Sequence, residues 1–357
     1  MAKFELGTKR PLIISGPCSA ESESQLLSTC EALAAEGCVD VLRAGVWKPR
    51  TRPNTFEGRG EEALPWLVEA KRRTGLPIAI EVASAKHVEA ALLYGIDILW
   101  VGARTTVNPF LVQEIAEAVA DSDVTILIKN PMNPDVELWS GAVERFEKVG
   151  VPRKNIGLIH RGFSVSGHSR YRNNPMWYLA FEMQNRHPDL MMLCDPSHIA
   201  GDSGYVAEVA QTAANLNFAG LIVESHCSPH EALSDAKQQL VPCALGELVR
   251  NLSWRAERSN DEAYLHDLER CRNEIDMIDS EVFELLGRRM NIADHIGRIK
   301  RENDVVILQT DRWYSIVERL LSRNDELHLS RSFIRAILEA IHVESIEHQN
   351  RIMNEEN

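Results

Sequence analysis

Short apolar runs alternate with amphipathic segments along roughly the first 250 residues of the chain. Eight such runs, rich in Val, Ile and Leu, lie at residues 11–15, 39–45, 76–82, 97–102, 124–130, 156–162, 190–196 and 220–225. Each is followed by a segment with helical periodicity, such as ESQLLSTCEALAAEG after the first run. Parallel strands that alternate with helices form right-handed units. The pattern therefore predicts an α/β fold, a (β/α)8 TIM barrel, over residues 1–250.

The pattern changes after residue 250. Residues 251–264 are charged and polar, which favours a linker. From Leu265 onward the apolar positions recur only at helical spacing, in segments near 265–303, 311–323 and 329–353. We therefore expect a second, small all-α domain of three helices over residues 265–357.

Polar side chains follow the apolar runs, at the end of each strand where a TIM barrel has its active site. They are Cys18, Arg43 with Lys48, Glu81, Arg104, Lys129, Arg161, Asp195 with His198, and Glu224. Any one of them could simply terminate its strand. That explanation is poor for the whole set, so we expect these side chains to converge on one site.

The last apolar run ends in a carboxylate, Glu224, and a second carboxylate, Asp235, follows eleven positions later. A buried ionised carboxylate is costly unless it is paired or holds a metal. Cys18 and His198 are expected at the same end of the barrel. A thiolate, an imidazole and two carboxylates suit a divalent transition metal such as Mn²⁺, Fe²⁺, Co²⁺ or Zn²⁺. We therefore expect the two carboxylates to be paired across a metal and not with a cation.

Charge narrows the range of partners. The formal net charge of −13 argues against a nucleic-acid partner, which requires a basic surface. Within this acidic chain the segment LRAGVWKPRTRPNTFEG carries four cations. A basic run is often only a solvated surface, but several cations of the set, Arg43, Arg104, Lys129 and Arg161, adjoin apolar strands. Guanidinium groups in a closed site suit phosphate and carboxylate, so two acidic or phosphorylated substrates are expected.

The chain has no apolar run that would suit a signal peptide or a membrane span. Its seven cysteines are odd in number and irregular in spacing, which is unlike a disulfide framework. We interpret this usage as typical of a reducing, cytoplasmic compartment.

Several motifs give the barrel a specific resemblance. GPCSAES, KPRT, GAR, HRG, DPSH and VESH…ALSDA, between residue 11 and about residue 245, resemble the 3-deoxy-D-arabino-heptulosonate 7-phosphate (DAHP) synthases of the short type I-beta form. The resemblance implies condensation of phosphoenolpyruvate with erythrose 4-phosphate, the reaction that opens the shikimate pathway. It implies a divalent metal on Cys18, His198, Glu224 and Asp235, and we expect Mn²⁺. It implies phosphoenolpyruvate on Arg43, Lys48, Arg104, Lys129 and Arg161, and the aldose phosphate on Pro49, Arg50 and Thr51.

The implied chemistry needs a Lewis acid at the aldehyde oxygen and a proton for the alkoxide that forms. Lys48 is our candidate proton donor, and a metal-bound water is the competing assignment. Two departures keep an alternative open. Arg52 and Asn54 stand where many relatives have Ser and Tyr, and KNPMNPD after the fifth strand is shared with the sister enzymes that make 3-deoxy-D-manno-octulosonate 8-phosphate. The alternative is such a barrel with a non-catalytic helical dimerisation or regulatory module.

The first predicted helix of the second domain carries two cations on its apolar stripe. Arg289 and Lys300 are eleven positions apart, which returns to within about 20° of the same face. Cations on such a stripe need an anionic partner. Arg272 falls about 100° off the stripe and does not easily reach the same pocket within one subunit. The alternative is a three-helix dimerisation module with snorkelling cations.

The segment LERCRNEIDMIDSEVFELLGRRMNIADHIGRIKREN resembles the all-helical chorismate mutases. The resemblance implies that chorismate or prephenate binds Arg272, Arg289, Lys300, Arg312, Ser345 and Gln349. It also implies an interlocked homodimer in which Arg272 serves the neighbouring subunit, with Lys300 and Gln349 stabilising charge on the ether oxygen. Gln309 and Trp313 stand where members often have acidic residues, which leaves a hydroxyl contact to be supplied elsewhere. Because no other regulatory module is evident, we expect this domain also to sense prephenate or chorismate and to lower the activity of the barrel.

Overall fold

The computed structural model describes residues 5–7, 10–49, 55–167, 169–256, 258–308 and 310–354. The chain divides into two compact units, Met1–Glu257 and Arg258–Asn357. The first is an α/β unit and the second is entirely helical. No helix in the described part of the chain is both long enough and apolar enough to cross a membrane.

The first unit is a closed barrel of eight parallel strands in sequential order, which confirms the predicted TIM barrel. Its strands are β1 (Leu12–Gly16), β2 (Val41–Ala44), β3 (Ile78–Val82), β4 (Ile98–Val101), β5 (Thr125–Lys129), β6 (Ile156–His160), β7 (Met191–Cys194) and β8 (Gly220–Glu224). Each strand coincides with one of the eight apolar runs, and only β1 extends beyond its run, by one residue. The strands are short and nearly all of their residues are buried, because helices cover the outer face and side chains fill the interior.

Ten helices belong to this unit in the part of the chain that the structure describes. They are α1 (Glu23–Glu36), α2 (Leu64–Thr74), α3 (Ala85–Leu93), α4 (Ala103–Thr106), α5 (Pro109–Val119), α6 (Val136–Lys148), α7 (Trp177–Arg186), α8 (Pro196–Ala200), α9 (Ser203–Asn215) and α10 (Pro242–Asn251). Several begin with a side chain that accepts a backbone N–H of the first turn, as Ser22, Ser84 and Asp135 do. Short 3₁₀ turns lie at Gly60–Ala63, Arg153–Asn155, Pro229–Glu231 and Ala236–Gln238.

The barrel has an inner and an outer apolar layer. Residues such as Ile14, Trp100 and Ile222 fill its interior, and alternate strand residues pack against the helices. This alternation follows from the two-residue period of a strand. Because all eight strands are parallel, their carboxyl ends meet at one mouth of the barrel.

The described residues of the second unit form three helices, as expected: α11 (Glu262–Glu302), α12 (Thr310–Leu321) and α13 (Arg331–Asn354). Asp261 caps α11, which therefore begins inside the segment predicted as a linker. The domain boundaries at residues 250 and 265 stay a prediction. A small apolar cluster, with Val317, Leu321 and Leu338 among its members, joins α12 to α13.

Candidate active sites

The four predicted metal-ligand side chains lie together at the mouth of the barrel. Glu224 ends β8, and its register with Gly16 of β1 places Cys18 beside it. One ligand atom from each of Cys18, Glu224 and Asp235 lies within 4.8 Å of the others. His198 Nε2 lies 3.8 Å from Glu224 Oε1 and 4.0 Å from Asp235 Oδ2. The tertiary structure thus assembles the mixed sulfur, nitrogen and oxygen donor set that a divalent transition metal takes.

Electrostatics keep the carboxylates of this cluster ionised and its thiol protonated. Burial opposes ionisation of Glu224, but His198 and Arg43 outweigh it and lower its pKa. Burial also opposes ionisation of Asp235, where His198 and Arg172 outweigh it and lower the pKa. Burial and, after it, Glu224 raise the pKa of the Cys18 thiol to about 12. A bound cation is therefore what would convert this thiol to the thiolate ligand.

The expectation that the two carboxylates have no cationic partner was wrong. Arg43 Nη1 lies 3.1 Å from Glu224 Oε1, and Arg172 Nη1 lies 3.0 Å from Asp235 Oδ1. Glu224 is fully buried, so its charge requires compensation. Arg43 comes from β2 and Arg172 from the loop between β6 and α7, and the spacing along the chain does not indicate either pairing.

The predicted cations surround a small cavity of about 60 Å³ next to this cluster. Lys48, Arg104, Lys129 and Arg161 line it, together with Pro49, Glu81, His198 and Asp235. Lys129 Nζ donates to Asp195 Oδ2 at 2.7 Å, and Lys48 Nζ lies 3.9 Å from Glu81 Oε2. Burial lowers the pKa of Arg161 to about 10, which leaves it cationic at neutral pH.

Arg43 does not line this cavity. Its guanidinium lies 4.7 Å from the ring centre of Trp100 and donates to Glu224 and to the Cys18 carbonyl. Arg43 is therefore engaged with the candidate metal ligands. The predicted aldose-phosphate residues Arg50 and Thr51 lie outside the described residues, as do Arg52 and Asn54.

Sequence reasoning missed several side chains that hold the donors in place. Gln238 Nε2 donates to Glu224 Oε2 at 2.7 Å, while its Oε1 accepts from Arg172 at 2.9 Å. Gln239 Oε1 accepts from the backbone N–H of Cys18 at 2.9 Å. Asp195, noted only as a polar residue after β7, lies 2.8 Å from His198 Nδ1. The short segment AKQQL has no periodic pattern. The signal that could have indicated these two glutamines is their closeness to Asp235 in the sequence.

A larger cavity, of about 630 Å³, lies within the helical unit. Five of the six predicted ligand residues line it: Arg289, Lys300, Arg312, Ser345 and Gln349. Arg289 donates to the Ser345 hydroxyl, and Lys300 donates to the Ile307 carbonyl. Gln349 Nε2 donates to Ser345 O at 3.1 Å and retains a second hydrogen for a ligand. The five predicted residues therefore contribute three cations and two polar side chains to the cavity.

The sixth residue, Arg272, is exposed and does not line this cavity of its own chain. Gln309 lies outside the described residues. Trp313 lines the cavity and stacks on His342, a residue that sequence reasoning did not single out. Burial and then Arg289 lower the pKa of His342.

Comparison with known proteins identifies both units. Residues 3–259 match the DAHP synthetase I family, and residues 271–350 match chorismate mutase type II. The phospho-2-dehydro-3-deoxyheptonate aldolase of Thermotoga maritima is 31% identical over 257 residues, 72% of this chain and 73% of that protein. A 2-dehydro-3-deoxyphosphooctonate aldolase of Wolinella succinogenes is 27% identical over 267 residues, 68% of this chain and 97% of that protein.

Solved structures of DAHP synthases also resemble this chain. A crystal structure of the DAHP synthase of Thermotoga maritima superposes with a TM-score of 0.60 at 31% identity, covering 67% of each chain. A truncated form of 3-deoxy-D-arabino-heptulosonate 7-phosphate synthase from Thermotoga maritima gives 0.58 at 28% identity, covering 70% of this chain and 89% of that one. The octulosonate alternative is thus the less supported one. The chain belongs to the DAHP synthetase I family and carries a type II chorismate mutase domain after its barrel, a bifunctional shikimate-pathway enzyme with one transferase and one isomerase domain.

Proposed function

We propose that the barrel catalyses the metal-dependent condensation of phosphoenolpyruvate with erythrose 4-phosphate to DAHP and phosphate. One observation carries the proposal: Cys18, His198, Glu224 and Asp235 meet beside a cavity lined by cations. A metal donor set next to an anion pocket suits carbonyl chemistry between two acidic substrates.

The donors fit a divalent transition metal, and we propose Mn²⁺. Each carboxylate has an arginine on one oxygen, while Asp235 Oδ2 is directed toward Cys18 Sγ at 3.5 Å and His198 Nε2 at 4.0 Å. The thiol needs a cation to ionise, which is a further sign of fit. When bound, the metal supplies Lewis-acid polarisation of the aldehyde oxygen.

The chain's own residues bind and orient the two substrates. Arg104, Lys129 and Arg161 bind the phosphate and carboxylate of phosphoenolpyruvate. Arg43 supports that site indirectly, because it donates hydrogen bonds to the Glu224 carboxylate and to the Cys18 carbonyl.

Bond formation then requires one proton from the chain. C3 of phosphoenolpyruvate attacks the aldehyde carbon, and Lys48 donates a proton to the forming alkoxide. Water adds at C2 and gives up one proton, which restores the Lys48 ammonium; the remaining hydroxyl proton goes to the departing phosphate as C–O cleavage forms the C2 ketone. Lys48 lines the cavity, and Glu81 provides it with a nearby countercharge. Pro49, with Arg50 and Thr51, contacts the aldose phosphate.

The decisive assay measures phosphoenolpyruvate consumption by metal-loaded protein. Erythrose 4-phosphate and arabinose 5-phosphate are offered in parallel, each with and without a chelator. We expect chelator-sensitive consumption with erythrose 4-phosphate only. Consumption with arabinose 5-phosphate only would assign the barrel to the octulosonate reaction, and consumption with neither would refute the proposed chemistry.

For the helical unit we propose rearrangement of chorismate to prephenate. The supporting observation is the cavity of about 630 Å³ that brings Arg289, Lys300 and Arg312 together around a space large enough for a small dianion. The rearrangement needs no general acid or base. Arginines that clamp both carboxylates hold the reactive conformation, and Lys300 with Gln349 stabilises charge on the ether oxygen.

We propose that Arg272 completes this cavity from the partner subunit of a homodimer. Arg272 is exposed in its own chain, as are the apolar side chains Ile275, Ile278 and Val282 on the same helix. An exposed apolar stripe of this length favours burial against another protein surface.

Arg289→Ala should abolish most mutase activity while leaving condensation in the barrel unchanged. We expect a loss of about 100-fold or more in chorismate turnover, because the variant removes a charge that clamps the substrate. Arg288→Ala, at the preceding exposed position of α11, is the matched control. Full mutase activity in Arg289→Ala would contradict the proposed site.

Feedback between the two activities is also proposed. Prephenate or chorismate bound in the helical cavity would lower condensation in the barrel. In the full chain, Arg289→Ala should weaken inhibition of the barrel by prephenate because it weakens binding. A chain that lacks residues 265–357 and keeps full activity with unchanged prephenate sensitivity would refute the idea.

The seven cysteines are all free thiols. This supports, as part of the proposal, a reducing cytoplasmic compartment. The proposed partners are small molecules and a second copy of the chain, with neither nucleic acid nor membrane among them.

A further inference from the structure

One wall of the helical cavity is an aromatic pair that the proposed reaction does not use. The ring of Trp313 on α12 stacks on that of His342 on α13, with centroids 4.2 Å apart and planes 21° from parallel. Both side chains line the cavity. The two rings belong to different helices, so the stack forms only when α12 packs on α13.

The cavity is rich in hydrogen-bond donors and poor in acceptors. Its charged lining residues are Arg289, Lys300, Arg312 and Arg319, and no aspartate or glutamate is among the described residues that line it. Guanidinium and ammonium groups donate and do not accept. They suit the carboxylates of a ligand, but a ligand hydroxyl must donate its own proton to an acceptor, and a buried hydroxyl without one is costly.

Few acceptors are available for that proton. The Ser345 hydroxyl is already engaged, because it receives from Arg289 and donates to the Ile341 carbonyl. Gln349 Oε1 has no partner among the described residues. His342 offers a ring nitrogen when its imidazole is neutral. Among the described side chains that line the cavity, the choice therefore lies between Gln349 and His342.

The surroundings of His342 keep its ring neutral. Burial lowers the pKa of His342, and Arg289 of α11 lowers it further. Arg312 and Arg319 of α12 and Lys300 of α11 also line the cavity, and each adds positive charge that opposes protonation. A neutral imidazole held flat against Trp313 has one accepting nitrogen and little rotational freedom.

We propose that His342, positioned by its stack on Trp313, accepts a hydrogen bond from the ligand hydroxyl and makes the cavity specific for a hydroxylated dicarboxylate. The inference rests on the proposed mutase function, in which the ligand is chorismate and the group is its C4 hydroxyl. His342 on α13 thereby supplies the contact that an acidic side chain at position 313 would supply from α12.

The test compares chorismate with an analogue that lacks the C4 hydroxyl, in the full-length protein. His342→Leu removes the acceptor and should lower kcat/KM for chorismate about tenfold, the effect of one hydrogen bond, with little change for the analogue. His342→Asn keeps an accepting oxygen and should retain most of the activity. Prephenate affinity by calorimetry gives a second readout that does not depend on turnover.

Substitutions of Trp313 provide the matched controls. Trp313→Phe preserves an aromatic partner and should stay within about twofold of wild type. Trp313→Glu combined with His342→Leu places a carboxylate acceptor on the facing helix and should recover chorismate activity lost in His342→Leu. Circular dichroism and melting curves identify any variant that is unfolded.

The outcomes separate three cases. Equal losses of kcat/KM for both substrates in His342→Leu would indicate a packing role and overturn the inference. Loss of discrimination in Gln349→Met, with none in His342→Leu, would assign the acceptor to Gln349 and also overturn it. A wild-type protein that neither converts chorismate nor binds prephenate would refute the proposed mutase function itself.

Discussion

At the residue scale, the candidate metal site depends on the side chains that bond its donors. Gln238 donates to Glu224 with its amide nitrogen and accepts from Arg172 with its oxygen, so it links Glu224 to the arginine that pairs with Asp235. Asp235 adopts a left-handed backbone conformation, with φ of 47°, which an aspartate tolerates only at some cost. Partners of this kind orient ligands and tune their affinity for metal.

Gln238→Leu should therefore lower metal affinity by about 10–100-fold with the barrel still folded. The variant leaves Glu224 Oε2 without its donor and frees Arg172. Titration of Mn²⁺ into metal-free protein measures the change. Gln113→Leu, on α5 outside the cluster, should bind as wild type does, and unchanged affinity in Gln238→Leu would contradict this role.

His160 gives the barrel a defined response to acid. Its ring is fully buried among four aromatic rings, those of Trp139, Phe163, Trp177 and Phe218. Burial lowers the pKa of His160 to about 3. Between an unfolded-state pKa of about 6.5 and this value, only the unfolded chain takes up the proton. Stability contributed by His160 is therefore complete above about pH 6.5 and is lost as the pH falls.

Over that interval His160 should add about 1.4 kcal/mol per pH unit to the decline in unfolding free energy. His160→Gln should show a shallower decline than wild type. Denaturant unfolding followed by tryptophan fluorescence measures this, since six of the seven tryptophans precede residue 258. His230→Gln, at an exposed position, should keep the wild-type slope. Identical slopes in His160→Gln and wild type would refute the assignment.

At the element scale, closure of the barrel depends on how closely β1 and β8 approach. Gly220 opens β8 opposite Leu12, and a Cβ at this position would lie 2.0 Å from the Leu12 carbonyl oxygen. The strands are only four or five residues long, so each pairing contributes a large share of the barrel's hydrogen bonds. A backbone contact this close excludes every side chain.

Gly220→Ala should destabilise the barrel by about 1–3 kcal/mol, because β1 or β8 must shift. Gly141→Ala is the matched control: Gly141 lies inside α6 with nothing within 4 Å of its Cβ position. Alanine there should stabilise by about 0.5–1 kcal/mol. Thermal unfolding of both variants measures the difference, and equal melting temperatures would contradict the close-approach argument.

At the scale of the whole molecule, the helical unit contributes one cavity, which under the proposed dimer is completed by a partner subunit. Arg289 and Lys300 line it, Arg272 does not, and the exposed apolar side chains of α11 lack cover within the described part of the chain. The barrel has its donors and cations within one chain. The two activities should therefore differ in how they depend on dimerisation.

Mixing the variants Arg272→Ala and Arg289→Ala should restore mutase activity that neither has alone. A mixed dimer has one pocket with both arginines intact, so random pairing should recover about a quarter of the wild-type sites. Co-expression followed by a chorismate assay tests this. No recovery, with mixed dimers demonstrated, would place Arg272 outside the partner's pocket.

Much of the fold could be predicted because its signals are local. Parallel strands covered on both faces produce continuous apolar runs, and all eight runs became strands of the barrel. Helical spacing likewise predicted α11, α12 and α13. Residues directly after strands, such as Cys18 and Glu224, could be placed at one mouth because the fold sends every strand end there.

The sequence by itself determined the two folds, the types of donor and cation at each site, and the families that they resemble. Only the tertiary structure decided which charges pair, namely Arg43 with Glu224 and Arg172 with Asp235. It also decided that Trp313 stacks on His342. The two residues of each pair are 29 to 181 positions apart in the sequence, and Arg172 lies on a loop without periodicity. Their contacts depend on barrel closure and helix packing, which bring distant segments within a few ångströms and which no local pattern encodes.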